Sequence, residues 1–241
     1  MSLTVLGCDG SYAGPGGACS GYLVSSGATN VWVDCGPGTL ANLQEHVSLA
    51  ELSGIVISHA HPDHWVELPV ALNALRYYVE RRGVPLFTTG ETLKGLEAMK
   101  GAPVPETFAV HQITDGSSFD LDGLRFGCVV TDHPVETLSM RIEGGGRSIG
   151  YSADTGPGWH LASLDDVDLA VVEATLREGQ SGLAPHLTTT EAGQLAHAAG
   201  AGRLVITHLP PGADAAASRD EAAVAYGADV LVATTHLRID I

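Results

Sequence analysis

Residues 54–64 are Gly54-Ile55-Val56-Ile57-Ser58-His59-Ala60-His61-Pro62-Asp63-His64, an apolar run followed by a dense set of metal-binding residue types. The apolar run is typical of a buried β-strand. Imidazole nitrogen and carboxylate oxygen are both ligands that Zn²⁺ takes in proteins. The short spacing predicts that His59 and His61 face one metal ion and that Asp63 and His64 face a second ion beside it. A solvated polar turn is disfavoured, because four such side chains crowded together without a cation would repel one another.

Three further candidate ligands, His133, Asp154 and His208, each follow a later apolar, strand-like run. Taken singly, His133 would be interpreted as a structural histidine. Asp154 would be interpreted as a turn former, because it precedes Thr155-Gly156-Pro157-Gly158. Their assignment as ligands depends on the family pattern that the whole sequence resembles.

The pattern H-x-H-x-D-H after an apolar strand resembles the signature of the metallo-β-lactamase superfamily, and the later motifs fit in the same order. The resemblance spans nearly the whole chain, from Gly7 to His236. It implies a four-layer αββα sandwich of the α/β class. It also implies two divalent metal ions, with Zn²⁺ as first choice and Mn²⁺ or Fe²⁺ as alternatives. The implied ligands are His59, His61, Asp63, His64, His133, Asp154 and His208.

Hydrophobic patterning agrees with one domain over residues 1–241. Strand-like runs outnumber helical ones, yet helices punctuate both halves, which predicts two sheets packed face to face with helices outside. The clearest helical spacing covers Leu68–Glu80. With 44% hydrophobic and 17% charged residues, the composition is that of a globular protein and excludes long-range disorder.

The net charge and the cysteine content narrow the possible classes of protein further. The formal charge of −16 repels polyanions and weakens any case for broad binding to a nucleic-acid backbone. No apolar run approaches the ~18–20 residues of a transmembrane helix, so no membrane partner is expected. The four cysteines, Cys8, Cys19, Cys35 and Cys128, form no C-x-x-C pair and predict reduced, packed thiols. A cytoplasmic location follows from that prediction.

A further histidine stands in Pro185-His186-Leu187-Thr188-Thr189-Thr190-Glu191-Ala192, before a helix that Thr188 or Thr189 caps with Glu191. The segment resembles the H-x-T-x-x-x-A element of the ribonuclease Z-like branch of the superfamily. That resemblance implies that His186 acts on the scissile phosphate and is not a metal ligand. Glu173 ends a strand on the same edge and is expected to orient His186. A surface-loop histidine is the alternative interpretation.

Two metal ions about 3.5–4 Å apart can share a hydroxide and hold it against a substrate. In that chemistry Asp154 bridges the ions, and Asp63 binds a metal and also accepts a proton from the attacking water. The metal motif does not choose among β-lactams, thioesters, lactones and phosphodiesters. The surroundings of His133 differ from the T-P-G-H-T-like turn of thioesterases and β-lactamases and resemble the phosphodiesterase branch. The predicted catalytic set is Asp63, His186 and Glu173.

Within that branch, the chain favours a small anionic phosphodiester such as a cyclic nucleotide. Many ribonuclease Z members carry a long tRNA-gripping arm between the third histidine and the aspartate motif, but only twenty residues separate His133 from Asp154. Extended RNA is therefore not expected. The motifs His133-Pro134-x-Glu136 and 207–211 resemble a compact actinobacterial-type group with cyclic-nucleotide phosphodiesterase activity. A homodimer is expected from the family alone.

Three alternatives stay open: a ribonuclease Z-like tRNA 3′-processing endonuclease, an ester or lactone hydrolase on the same metals, and a non-catalytic metal-stabilised scaffold. The scaffold is disfavoured because no ligand is missing. Trp65 directly follows His64, and Trp159 lies shortly after Asp154, so one of them is predicted to stack on a bound base, with packing as the alternative. The remaining histidines have no motif around them and are assigned to surface or packing roles: His46, His111, His160, His197 and His236.

Overall fold

The computed structural model describes residues 1–159 and 163–241. These ranges contain fourteen strands and six α-helices. In chain order they are β1 (Ser2–Gly7), β2 (Gly21–Ser26), β3 (Thr29–Val33), α1 (Thr39–Leu43), β4 (Gly54–Val56), α2 (Pro62–Trp65), α3 (Leu68–Tyr77), β5 (Val84–Thr88), α4 (Gly90–Lys100), β6 (Phe108–Gln112), β7 (Ser118–Leu121), β8 (Leu124–Val130), β9 (Leu138–Gly144), β10 (Arg147–Tyr151), β11 (Leu169–Glu173), α5 (Thr189–Ala198), β12 (Leu204–Thr207), α6 (Ala215–Tyr226), β13 (Val230–Val232) and β14 (Arg238–Asp240).

The strands form two seven-stranded sheets of mixed direction. The first has the order β14-β1-β2-β3-β4-β5-β6, and the second has the order β13-β12-β11-β10-β9-β8-β7. In the first sheet β3 to β6 run parallel and the other pairs are antiparallel. In the second sheet β10 to β13 run parallel and the other pairs are antiparallel. Each sheet therefore joins an antiparallel half to a parallel half.

Side chains alternate between an inner and an outer core because successive residues of a strand face opposite sides of a sheet. In β4, Val56 belongs to the cluster between the sheets, and Ile55 belongs to the cluster beneath the helices. In β11, Val171 faces inward, while Val172 packs in the cluster that contains residues of α5 and α6. The three apolar clusters thus separate four layers, and the αββα sandwich of the metallo-β-lactamase type is confirmed.

Helix boundaries follow the local signals with two differences. The Thr188 hydroxyl and the Glu191 carboxylate form the capping box that begins α5. Helix α3 ends at Tyr77 and not at Glu80, whose φ of 56° is left-handed and incompatible with a continuing helix. The short helix α2 was not expected; it begins with Pro62, and proline suits a first helical position because its missing N–H has no partner there.

The four cysteines are free, as the spacing predicted. Three are buried and Cys8 is half-buried, and burial raises the pKa of Cys8, Cys19 and Cys128 to about 12. Their thiols therefore pack as small apolar groups. Within the described ranges, no helix combines the length and the apolar character that a membrane span requires. The single-domain assignment for residues 1–241 stays a prediction.

Candidate metal centre

The residues predicted to bind metal lie at the carboxyl ends of strands in both sheets. The first sheet contributes the loop and helix α2 that follow β4, and the second contributes single residues after β8, β10 and β12. Potential ligand atoms come together within 4.8 Å of one another in groups. One group is His59, His61, His133 and Asp154; a second is Asp63, His64 and His208. This division matches the pairing that the spacing of the first motif predicts.

Asp154 lies between the two groups, with one carboxylate oxygen toward each. Its Oδ2 is 3.6 Å from His59 Nε2 and 3.9 Å from His133 Nε2. Its Oδ1 is 3.2 Å from His64 Nε2 and 3.4 Å from His208 Nε2. A carboxylate in this position can bridge two cations, which is the role the sequence assigned to it.

Three buried polar atoms at the centre have no hydrogen-bond partner in the described part of the chain: His59 Nε2, His64 Nε2 and Asp154 Oδ1. Buried polar atoms are nearly always paired, because leaving one unpaired costs the free energy of its lost hydration. Two divalent cations, one in each ligand group, would satisfy all three. Imidazole nitrogens with carboxylate oxygens are also the donor set that Zn²⁺ and related ions take, so the residues fit the metal ions that the fold family implies.

Protonation equilibria around the centre depend on burial and on Asp154. Burial and the neighbouring His64 lower the pKa of His59 well below its usual range, which leaves a neutral imidazole able to bind a metal. Burial opposes ionisation of Asp154, but His208 and His64 outweigh it and hold its pKa well below the usual value. Metal ions compete with protons for such sites.

A buried carboxylate that the sequence did not single out, Asp34, orients two of the candidate ligands. It follows β3 and accepts hydrogen bonds at 2.8 Å from His64 Nδ1, the Ser58 hydroxyl and the Tyr151 hydroxyl. The Ser58 oxygen in turn accepts from His59 Nδ1 at 2.9 Å. These bonds fix the tautomers that direct both Nε2 atoms into the centre. The sequence does carry a signal for Asp34, because this residue follows an apolar run, as Asp154 does.

The other candidate ligands are held by contacts from several loops. His133 Nδ1 donates to the Pro185 carbonyl at 3.1 Å. His208 Nδ1 donates to Thr175 Oγ1 at 2.8 Å. The Ser11 backbone N–H donates to Asp63 Oδ2 at 2.9 Å. None of these partners could be found by spacing, because each comes from a distant part of the chain.

Four of the eight non-glycine residues with left-handed backbone in the described ranges lie at the centre. Ser11, Asp34, Ala153 and His208 have φ values of 64°, 58°, 52° and 60°. Such conformations are unfavourable for residues with a Cβ and persist where the surroundings impose them, often at functional sites. Here they turn the chain sharply at the strand ends that carry Asp154 and His208.

Asp132 ties the loop of His133 to the loop that follows Asp154. Its carbonyl accepts from Gly156 N at 2.7 Å, and its Oδ2 accepts from Gly158 N at 2.9 Å. A Cβ added at Gly158 would lie 2.6 Å from that oxygen. Gly156 and Gly158, which suggested an ordinary turn, are therefore needed because a larger residue would not fit against Asp132, where the two ligand-bearing loops meet.

His186 and Glu173 form the predicted pair. His186 Nδ1 donates to Glu173 Oε1 at 2.8 Å, and the Glu173 side chain is buried. Burial disfavours the charged imidazole, but the hydrogen bond to Glu173 outweighs it and raises the pKa of His186. His186 also lies beside Asp154 and His208 in a third group of ligand-type atoms. Its side chain keeps 15% of its surface exposed, more than His208 does, so a substrate can reach it.

The two tryptophans do not present a free face at the site. Trp65 is 6% exposed; its indole N–H donates to the Ala60 carbonyl, and its ring packs against Gly95 of α4. Trp159 is 5% exposed and belongs to the outer cluster of the second sheet. The prediction that one of them stacks on a base is therefore replaced by the packing alternative. Trp65 points away from Asp63 and His64 because consecutive residues of a helix face different directions.

Four of the histidines without a motif have packing or surface contacts. His46 and His236 lie 2.9 Å apart through Nε2 and Nδ1, His111 stacks on Phe87, and His197 Nδ1 donates to a backbone carbonyl. His160 lies outside the described residues.

A four-layer sandwich with a buried His/Asp cluster at one edge defines a class, the metal-binding proteins of the metallo-β-lactamase fold. Comparison with known proteins agrees: the model of the "Beta-lactamase superfamily domain" matches residues 29–209. The chain therefore belongs to this superfamily, and it is a metallo-β-lactamase-fold hydrolase related to YhfI and ribonuclease Z.

Similar proteins cover most of the chain. It is 34% identical over 223 residues to Mycobacterium tuberculosis Rv1339, covering 88% of this chain and 81% of the relative. It is 30% identical to the probable metallo-hydrolase YhfI of Bacillus subtilis, covering 87% of each. It is 29% identical to ribonuclease Z of Mycobacterium bovis, covering 88% of this chain and 86% of that enzyme.

Solved structures support the fold. The crystal structure of Bacillus subtilis YhfI has a TM-score of 0.90 at 27% identity and covers 99% of this chain and 98% of that one. A diphosphatase of the PhnP family has a TM-score of 0.79 at 20% identity and covers 100% of this chain and 97% of that one. The second likeness concerns the fold alone.

Proposed function

We propose that this hydrolase cleaves a small anionic phosphodiester, such as a cyclic nucleotide. One observation carries the proposal: an accessible imidazole, His186, is bonded to a buried carboxylate, Glu173, beside the candidate metal ligands. Cleavage of a phosphodiester needs a proton for the departing alkoxide. An imidazole whose pKa is raised by a carboxylate partner is suited to supply it.

The proposed reaction assigns a proton task to two side chains. Two divalent ions, when bound, would supply Lewis acidity and make water more acidic. Asp63 accepts a proton from the attacking water, whose oxygen forms the new bond to phosphorus. The bond between phosphorus and the ester oxygen breaks, and His186 donates its proton to that oxygen. Glu173 keeps the His186 ring oriented and stabilises its protonated form.

Two features support a small substrate over a tRNA precursor. Strands β9 and β10 are joined directly, with Gly144 paired to Arg147, so the hairpin there is short. The formal charge of −16 also opposes contact with extended RNA. The ribonuclease Z-like alternative keeps one observation in its favour, the 29% identity to ribonuclease Z of Mycobacterium bovis. An ester or lactone hydrolase would use the same centre without needing His186 as a proton donor.

The proposal also covers the metal ions, the location of the protein and its oligomeric state. We propose Zn²⁺ at both positions, because five of the seven candidate ligands are imidazoles, with Mn²⁺ or Fe²⁺ as alternatives. The free, buried thiols support a cytoplasmic location. The homodimer stays a prediction, which size-exclusion chromatography with light scattering would check.

A substrate panel tests the proposal with one purified, metal-analysed protein. Cyclic nucleotides, a linear dinucleotide, a tRNA precursor, bis(p-nitrophenyl) phosphate, nitrocefin and an acyl thioester are compared by kcat/KM. Hydrolysis of a cyclic nucleotide above all other natural substrates supports the proposal. Preferred cleavage of the tRNA precursor, or of the thioester or nitrocefin, would replace it with the corresponding alternative.

A further inference from the structure

The loop between β1 and β2 lies directly against the second group of candidate ligands. The Ser11 backbone N–H donates to Asp63 Oδ2 at 2.9 Å, and Gly10 N donates to the Leu209 carbonyl at 3.0 Å. A Cβ added at Gly10 would lie 2.5 Å from the His208 carbonyl oxygen. The loop backbone is therefore packed tightly against the backbone of His208.

This loop is held in place by its own aspartate. Asp9 Oδ2 accepts from Gly14 N at 2.9 Å, and a Cβ added at Gly17 would lie 2.0 Å from the same oxygen. Gly14 also packs against Pro211, which follows His208 by three residues. The glycine-rich turn thus closes around a carboxylate and supports the loop as a fixed part of the rim.

Tyr12 stands on this loop, next to the residue that contacts Asp63. Its side chain is 62% exposed. Only two other tyrosine, tryptophan or phenylalanine side chains in residues 1–159 and 163–241 are largely exposed, Tyr77 and Tyr78, and both lie at the end of α3. Tyr12 is therefore an exposed aromatic residue on a loop that contacts a candidate metal ligand, whereas Trp65 and Trp159 are buried.

The loop that carries His186 also presents an exposed apolar side chain, Leu183. His186 stacks on the His208 ring with centroids 5.4 Å apart, and Gly10 packs against the backbone of the same His208. Two loops that contact one candidate ligand thus each place an apolar side chain in solvent.

We infer that Tyr12 is a specificity-determining residue, on whose ring the base of a nucleotide stacks while the phosphate lies at the metal-ligand cluster. The inference rests on the proposed function and extends it to nucleotides as a substrate class. Tyr12 directly follows Ser11, which makes the contact to Asp63. Because consecutive Cα atoms are about 3.8 Å apart, the Tyr12 backbone lies next to that contact. Every base has a π-face, so an aromatic platform binds the base without requiring one particular sequence of polar contacts.

Equilibrium binding separates this subsite from catalysis. Isothermal titration of the metal-loaded protein compares AMP with ribose 5-phosphate, which lacks the base. AMP should bind more tightly, and Tyr12→Ala should weaken AMP binding roughly tenfold while leaving ribose 5-phosphate unchanged. Tyr12→Trp should retain the preference for AMP. The matched control is Tyr77→Ala, since Tyr77 is 63% exposed but lies at the end of α3 beside Arg76.

Each outcome distinguishes the subsite from the proposed function. Equal affinity of the wild-type protein for AMP and ribose 5-phosphate overturns the inference. An equal loss of both ligands in Tyr12→Ala also overturns it, because a loop contact to Asp63 would then be the cause. A retained AMP preference in a protein that hydrolyses no phosphodiester would keep the subsite and refute the phosphodiesterase. In an active enzyme, Tyr12→Ala should raise KM for a cyclic nucleotide with little change in kcat.

Discussion

Asp34 and Glu173 have the same hydrogen-bond arrangement, although they belong to different sheets. Each carboxylate accepts one hydrogen bond directly from an imidazole. It accepts another from a hydroxyl group, whose oxygen in turn accepts a hydrogen bond from a second imidazole. The sets are Asp34 with His64, Ser58 and His59, and Glu173 with His186, Thr175 and His208. The arrangement fixes ring orientation and tautomer in both cases.

The two networks differ in what their imidazoles can reach. His59 and His64 have no exposed side-chain surface, so their orientation serves only the buried centre. In the Glu173 network His208 is buried, but His186 is accessible. One arrangement of hydrogen bonds can therefore orient a candidate metal ligand or the proposed proton donor, depending on whether solvent and substrate reach the ring.

The largest effect that separates the networks is expected from His186→Ala. Loss of a proton donor should lower kcat roughly 10²–10⁴-fold while the metal content stays at the wild-type value. The deficit should shrink for bis(p-nitrophenyl) phosphate, whose leaving group needs little protonation. Steady-state kinetics with elemental analysis checks this, and His197→Ala, on α5, is the control. A parallel loss of metal would make His186 a ligand instead.

Asp34→Asn should weaken metal binding and leave proton donation by His186 unaffected. Replacing a carboxylate that orients metal-binding imidazoles is expected to weaken metal affinity roughly 10–100-fold. Activity should be low after dialysis and return toward the wild-type level when metal is added to saturation. Competition with a chelating dye measures the affinity. Unchanged affinity would show that His64 keeps its orientation without the charge of Asp34.

Glu173→Gln should produce a smaller kinetic loss than His186→Ala and a shift in pH dependence. The Glu173 carboxylate raises the pKa of His186, so removing its charge lowers that pKa. The proton-donating form of His186 exists below its pKa, and activity is lost as the pH rises through it. The alkaline limb of kcat/KM should therefore move to lower pH in the variant. An unmoved alkaline limb would assign that limb to another group.

Tyr151→Phe is expected to have the smallest effect. It removes one hydrogen bond to Asp34 and leaves the others, so metal affinity should fall by less than in Asp34→Asn. Tyr22→Phe is the matched control: the two rings lie 5.1 Å apart, but Tyr22 bonds Thr207 and not Asp34. Both variants should lose about 1 kcal/mol in the free energy of unfolding. Equal metal affinities in the two variants would mean that the Tyr151 contact is only structural.

Local spacing was enough to predict the ligand motif after β4, but His133, Asp154 and His208 were assigned only through the family pattern that they follow in order. These residues carry a signal because a strand end and a ligand type coincide in one short segment. Asp34 was missed although it also ends an apolar run, because its partners His64, Ser58 and Tyr151 are distant from it in the chain.

The remaining contacts depend on tertiary structure. Ser11, Thr175 and Pro185 contact candidate ligands from loops that are distant in sequence, so no spacing could indicate them. The tryptophan prediction was wrong for a related reason. Trp65 is adjacent to His64 in sequence, but the unexpected helix α2 turns its ring toward Gly95 and the outer core.

The most direct test of the two-metal centre is the number of metal ions bound by the wild-type chain and by Asp154→Ala. Asp154 has one oxygen toward each ligand group, so both positions depend on it. After metal-replete purification, elemental analysis should find two divalent ions per wild-type chain and a loss at both positions in the variant, whose circular dichroism stays unchanged. Fewer than one ion per wild-type chain would contradict the two-metal centre.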